Sequence, residues 1–265
     1  MISDYKVENG RDSTLAPLKG RAAATFVTRT VSDRTFGKRD ALPVKKLFAN
    51  RLLAAQPDGE AARLARQMQL VSFKPGEVIY QPESDCDYVY FPETAVFSQM
   101  SILENGKTVE TAMIGSEGML GLSSVLDFHP VNFWTQTLIG GSAYRMNARV
   151  FRQEFKRGEL LQTAFLEYIN VYIKQISQRA VCNNHHRIES RFSTWLLMLA
   201  DRSRQLKLSL TQEQIAAVLG VQRPSVTCIA QNLRSHGIIE YIRGRIILNR
   251  RKLETAACEC YAAVK

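Results

Sequence analysis

The sequence predicts an α+β protein in three successive parts: an antiparallel β-roll, one long helix, and a small C-terminal unit of two helices and a β-hairpin. Three observations carry this expectation. Between Val71 and Met146, short runs rich in β-branched and aromatic residues alternate with turn residues. From Glu159 to Asn184, 26 residues pass without a glycine or proline. From Leu210 to Leu248 a capped helix, a glycine turn, a second helix and two β-prone runs follow one another.

The whole chain sets bounds on these parts. With 265 residues, 45% of them hydrophobic, it has length for about two cores, and it contains no apolar run long enough to cross a membrane. The opening MISDYKVENG lacks the cationic start and apolar block of a secretion signal, which predicts a cytoplasmic protein. A formal net charge of +10 suits a polyanionic partner. Five scattered cysteines, an odd number, argue against a disulfide framework. Cys258-x-Cys260 is too closely spaced for the usual metal knuckle, and Cys182, His185 and His186 do not spell out a set of four. No metal site and no cofactor is therefore expected. The chain shows no nucleophile, base and orienter set, no phosphate loop and no HExxH, so it is not expected to be an enzyme.

Taken in order, residues 1–43 are rich in Arg, Lys, Ser, Thr and Ala without periodicity and read as a basic flexible arm. Residues 44–158 form the β-roll. NRLLAA and EAARLARQMQL are helical in spacing; VSFKPGEVIYQ, YVYFP, AVFSQMSIL, KTVETAMI, FWTQTLI and SAYRM follow as strands, with a type I′ hairpin expected at Asn105-Gly106. The run Gly115-Ser-Glu-Gly118-Met-Leu-Gly121 has neither the spacing nor the βαβ setting of a dinucleotide fingerprint. Asn147 opens a short helix through Phe155.

Residues 159–185 form the long helix, whose uninterrupted run from Glu159 to Asn184 spans roughly 39 Å at the standard rise. Phe165, Ile169, Tyr172, Ile176 and Ala180 make one apolar stripe, with the dimer contact expected along Phe165, Ile169, Tyr172 and Ile176, and Leu161, Ala164, Tyr168 and Val171 make a second beside it. Two stripes need two partners, so one is expected on the roll and the first on the same helix of a second subunit, giving a C2 homodimer. Arg191 to Ala200 reads as an amphipathic helix, with Asp201 to Gln205 as a link.

Residues 186–265 then carry the nucleic-acid signal. Thr211 with Gln214 is a capping box; Ile215, Val218 and Leu219 form an apolar face, and Gly220 turns the chain. Pro224 is tolerated in the first turn of the next helix, whose apolar face is Val226, Ile229, Ala230 and Leu233. Gln222, Arg223, Ser225 and Thr227 are left at its exposed N-terminal end, where a recognition helix meets base edges and phosphates. IIEYIRGRIIL is a hairpin that places Arg243 and Arg245 about a turn glycine, completing a winged helix-turn-helix for double-stranded DNA.

The order of roll, long helix and winged helix, with LTQEQIAAVLGVQRPSVT, resembles the Crp/Fnr family of bacterial transcription regulators. NRLLAA, VYFP, EGMLGL, CNNHH, WLLMLADR and ETAACECY are similar to a proteobacterial subgroup with CNxxH and CECY motifs. The resemblance implies a cyclic-nucleotide-binding-like roll as sensor, a dimerisation helix, a pseudo-palindromic operator and contact with RNA polymerase. It also implies that Arg223 reads guanine and that Thr211, with Gln212 beside it, meets phosphate. The second base-reading arginine of the family's cyclic-AMP-binding type member falls at Cys228, and the glutamate after its first at Pro224. The effector pocket maps to Met119, Leu120, Gly121, Val131, Asn132, Ile176 and Ser177 and is degenerate. Methionine stands where nucleotide binders carry the ribose-binding glutamate, Val131-Asn132 replaces the phosphate-binding Arg-Ser, and no arginine occurs between Gly121 and Gly140. Control by cyclic AMP is therefore not expected, and the effector is not identified. The rival reading is a small-ligand sensor acting through protein contacts.

Overall fold

The computed structural model describes residues 48–126 and 133–265. The expected arm at 1–43, and Val131 and Asn132, lie outside the described residues. The chain begins with α1 (Arg51–Ala54) and α2 (Asp58–Ala65). Asn50 caps α1 by accepting from the Leu52 and Leu53 amides, while its side-chain amide donates to the Pro92 and Gly118 carbonyls at 3.0 and 2.8 Å. One buried amide thus ties the entry helix to two segments distant from it in sequence.

Among the described residues seven strands follow: β1 (Gln69–Phe73), β2 (Val78–Tyr80), β3 (Tyr88–Pro92), β4 (Val96–Ile102), β5 (Thr108–Ile114), β6 (Trp134–Ile139) and β7 (Gly141–Asn147), with the short α3 (Leu122–Val125) before β6. They form two antiparallel sheets, ordered β1-β7-β3 and β2-β6-β4-β5. Their inner faces bury Val71, Phe73, Tyr80, Tyr90, Phe97 and Leu120 in one cluster. The β4–β5 turn differs from the expected type I′. Only Gly106 takes a positive φ there, the Gly106 amide donates to the Leu103 carbonyl, and the Leu103 amide donates to the Lys107 carbonyl. This is a three-residue loop ending in a left-handed glycine, which lets Asn105 keep an ordinary conformation and cap the Lys107 amide with its side chain.

Asn147 caps α4 (Ala148–Lys156), Gly158 reverses the chain at φ 92°, and α5 (Glu159–His185) runs 27 residues. The expected division of its apolar residues is corrected by the structure. Phe165 is 1% exposed and packs within its own chain against Phe151 and Phe155, and Tyr172 also rests on the roll cores. Leu161 and Tyr168 share the buried face with Phe165, whereas Val171 is exposed. The outward stripe instead runs through Leu166 and Ile173 to Ala180, the one exposed member of the expected stripe, at seven-residue intervals, with half-buried Ile169 and Ile176 at its edge. A step of one residue turns a helix by roughly 100°, and the roll claims Phe165 because a ring fills its aromatic pocket.

Next, α6 (Ile188–Ser203) is longer than expected and absorbs Asp201 to Ser203. It is not amphipathic along its middle: every residue from Phe192 to Ala200 is buried, since the helix runs between the roll and the C-terminal unit. It ends at Arg204, held at φ 56°. Then come β8 (Lys207–Ser209), α7 (Gln212–Leu219), α8 (Arg223–Ser235), β9 (Ile239–Ile242), β10 (Arg245–Leu248), α9 (Arg250–Ala256) and α10 (Cys260–Val264). β8, which sequence reading did not assign, pairs with β10 in the order β8-β10-β9. One core joins Val96, Met113, Leu138 and Ile139 of the roll to Trp195, Leu196, Leu199, Ile215 and Val218 of the C-terminal half. Each such side chain contributes about 1.5–3 kcal/mol on burial.

Candidate nucleic-acid interface

Helix α7 starts where the sequence requires. The Gln214 amide donates to Thr211 Oγ1 at 3.2 Å and the Thr211 amide to Gln214 Oε1 at 2.8 Å, a complete capping box. Gly220, at φ 68°, closes α7, and its missing side chain leaves only contact distance to Val109 on β5. The turn hands the chain to α8, whose first residues are Arg223 and Pro224, the proline costing nothing where no intrahelical donor is needed. Val226, Ile229, Ala230 and Leu233 are buried beneath it; Gln222, Arg223, Ser225 and Cys228 face outward and Thr227 is half-buried.

The outward end is already ordered. Gln212 Oε1 accepts from Arg223 Nε at 3.3 Å and from Thr227 Oγ1 at 3.2 Å, and Glu213 pairs with the Arg223 guanidinium at 3.0 Å. Both partners of that pair are more than 60% exposed, 65% for Arg223 and 61% for Glu213. A pair in such a setting contributes at most about 1 kcal/mol, so a guanine edge or phosphate competes with Glu213 on easy terms. Glu213 escaped sequence reading because acidic residues in a first helical turn are ordinary dipole partners; its one distinguishing signal is the interval to Arg223 across the glycine turn.

The hairpin lies alongside. Arg243 (φ 49°) and Gly244 (φ 78°) form its two-residue turn with both centres left-handed, as a type I′ turn demands. The Leu210 amide donates to the Gly244 carbonyl at 2.8 Å and the Tyr241 hydroxyl to the Leu210 carbonyl at 3.2 Å, fixing the turn beside the start of α7. Arg243 and Arg245 are exposed there. The fold thus brings Thr211, Gln212, Gln222, Arg223, Ser225 and Thr227 together on the two helices, with the two arginines on the adjoining hairpin.

Of the described positions mapped to an effector pocket, Leu120 and Ile176 border the same inner cluster of the roll, whereas Met119 lies in the separate core beneath α4 and α5. Leu120 exchanges backbone hydrogen bonds with Tyr90 and turns into the roll, so its neighbour Met119 points the other way, into the core beneath α4 and α5. Gly121, at φ 95°, caps α3. Ile176 covers the roll, but Ser177 faces out. Rings occupy the interior: Phe73 meets Tyr90 at 5.7 Å and Phe97 at 5.2 Å, and Tyr80 meets Phe133 at 6.4 Å. The glycine of the EGMLGL run that matters most is Gly118. A Cβ there would stand 2.3 Å from the Tyr168 ring, whose hydroxyl donates to the Met119 carbonyl at 3.0 Å.

Residues 190–256 match the Crp-like helix-turn-helix domain and residues 70–157 the cyclic nucleotide-binding domain. Among solved structures, the chain is similar to a Crp/Fnr-family transcriptional regulator from Eubacterium rectale, with 16% identity and a TM-score of 0.63 over 78% of this chain and 97% of that one. It is similar to FixK2 from Bradyrhizobium japonicum, with 17% identity and a TM-score of 0.61 over 72% and 98%. It is also similar to CLP, described as a c-di-GMP responsive global regulator of Xanthomonas campestris, with 11% identity and a TM-score of 0.61 over 72% and 99%. No curated protein matches. At these identities the structural likenesses establish a shared fold.

Proposed function

We propose that this chain, a Crp/Fnr-type regulator built of a cyclic nucleotide-binding domain and a Crp-like helix-turn-helix domain, binds a pseudo-palindromic operator as a homodimer without control by cyclic AMP. In this reading residues 44–158 are the sensor, 159–185 the dimerisation helix and 186–265 the DNA-binding unit. The observation that carries it is the exposed Arg223 at the N-terminus of α8, oriented by Gln212 and Glu213 and flanked by the Arg243 and Arg245 hairpin. Arg223 has the reach and fork for a bidentate contact to guanine, and the positive end of the α8 dipole favours phosphate. The dimer is supported by the outward stripe of Leu166, Ile173 and Ala180, which has the seven-residue spacing of a two-helix seam. Ring filling of the roll, and apolar Met119 where the nucleotide binders carry an acid, support independence from cyclic AMP. Contact with RNA polymerase belongs to the same proposal and rests on the resemblance alone.

The test compares Arg223→Ala and Arg245→Ala on an operator recovered by genomic footprinting and on scrambled DNA, across a salt series. Arg223→Ala should lower the ratio of the two affinities about 5- to 150-fold, the loss of one bidentate base contact. Arg245→Ala should weaken both DNAs alike and reduce the slope of log affinity against log salt by about one. Affinity of the unmodified protein that ignores salt would instead favour a sensor acting through protein contacts.

A further inference from the structure

The last segment of the chain brings together ligands that the sequence keeps 72 residues apart. Cys182 and His186 stand at the C-terminal end of α5; Cys258 and Cys260 flank the start of α10, which packs on α5 and α6. Their four ligand atoms all lie within 4.8 Å of one another, and the three cysteines are buried in a cluster of their own. His185, the other histidine of the pair, is exposed and takes no part.

The spacing within the group is that of a coordination shell. Sulfur at about 2.3 Å and nitrogen at about 2.0 Å around a tetrahedral cation stand roughly 3.5–3.8 Å from one another. Cys182 Sγ and Cys258 Sγ are 3.6 Å apart, and Cys260 Sγ and His186 Nδ1 are 3.4 Å apart. The surroundings supply what such a shell needs. His186 presents Nδ1 to the group and Nε2 to Glu259 Oε1 at 3.1 Å, an arrangement that fixes the ring and its tautomer. Gln178 Nε2 lies 3.0 Å from Cys260 Sγ, and Thr194 Oγ1 3.1 Å from Cys258 Sγ, both able to donate to a thiolate. Buried thiols that merely pack need neither an oriented imidazole nor amide and hydroxyl donors.

We propose that Cys182, His186, Cys258 and Cys260 bind one divalent cation of zinc type as a closed Cys3His site that fastens the C-terminal tail to the end of the long helix. Loading one M²⁺ releases three thiol protons and leaves a shell of net charge −1, which the Gln178 and Thr194 donors face. With all four positions filled by protein, the cation is structural. The proposal departs from the sequence expectation of no metal site for a geometric reason: Cys258-x-Cys260 is too short for a knuckle of its own, and α5 provides the other half. The proposal is independent of the DNA-binding reading, because its test reads metal and not DNA.

The full chain, purified under reducing conditions without chelator, should carry about one zinc by mass spectrometry of the ions. Its zinc X-ray absorption should show three sulfurs at about 2.3 Å and one nitrogen at about 2.0 Å. Cys258→Ser with Cys260→Ser should reduce zinc more than tenfold, and Cys228→Ser, at an exposed thiol on α8, should leave it unchanged. Should the double variant fail to fold, Co²⁺ exchanged into the unmodified protein decides, since tetrahedral thiolate ligation gives intense visible bands. The proposal is overturned by unmodified protein that takes up no zinc when supplied with it, or by zinc retained in a folded double variant. Iron with sulfide in place of zinc, or a Cys182–Cys258 disulfide in protein from reducing cells, would overturn it equally.

Discussion

Glu110 on β5 is 2% exposed, yet three groups from three elements converge on its carboxylate. Ser98 Oγ of β4 donates at 2.6 Å, Trp195 Nε1 of α6 donates at 2.9 Å, and the Arg179 guanidinium of α5 lies 3.3 Å away. Burial pushes its pKa up, against the pull of Arg179 and the two donors. A carboxylate placed at that cost serves to hold roll, long helix and DNA-binding unit in one register. Glu110→Ala would strand a buried guanidinium and an indole N–H, and should destabilise the protein by about 3–5 kcal/mol in urea titration, whereas Glu110→Gln, which keeps an acceptor for Trp195, should cost less. None of this was legible in KTVETAMI, where a glutamate in alternation reads as a solvent-facing strand residue. Thr211, Gln214 and Gly220 were legible, because caps and left-handed turns are decided within four residues of themselves.

At the scale of the element, the length and continuity of α5 could be read from the sequence, but not the assignment of its faces. Phe165 and Leu166 are equally apolar, and only the aromatic pocket made by Phe151 and Phe155 determines which turns inward. The distinction has an experimental consequence. Leu166→Asp with Ile173→Asp, both at positions more than half exposed in the protomer (53% and 56%), should give folded monomers with weakened operator binding. Phe165→Asp should lower the melting temperature instead, by inserting a charge into a core. Sedimentation and thermal melting of the two sets separate these outcomes, and an unchanged dimer in the first would move the interface elsewhere. The burial of α6 on all sides was hidden for a related reason: a helix wedged between two units has no polar face, so RFSTWLLMLA suggests an amphipathic pattern only through its flanking residues.

For the whole molecule, the order of roll, helix and winged helix was readable because each part has its own local punctuation. The closeness of Cys182 to Cys258 was not, since only the completed fold sets it. The packing of rings through the roll makes a nucleotide-level prediction: titration calorimetry with cyclic AMP at micromolar concentrations should give no binding heat. A saturable micromolar isotherm would show that the aromatic cluster opens. The continuous core from Val96 and Met113 through Trp195 to Val218 carries a consequence of its own. A hinge swinging the DNA-binding unit clear of the roll would bare that apolar seam to water, at about 25 cal/mol for every Å² exposed. Any signal that repositions α8 should therefore travel as shear, one packed surface sliding by fractions of a side chain over another, with the seam staying dry throughout.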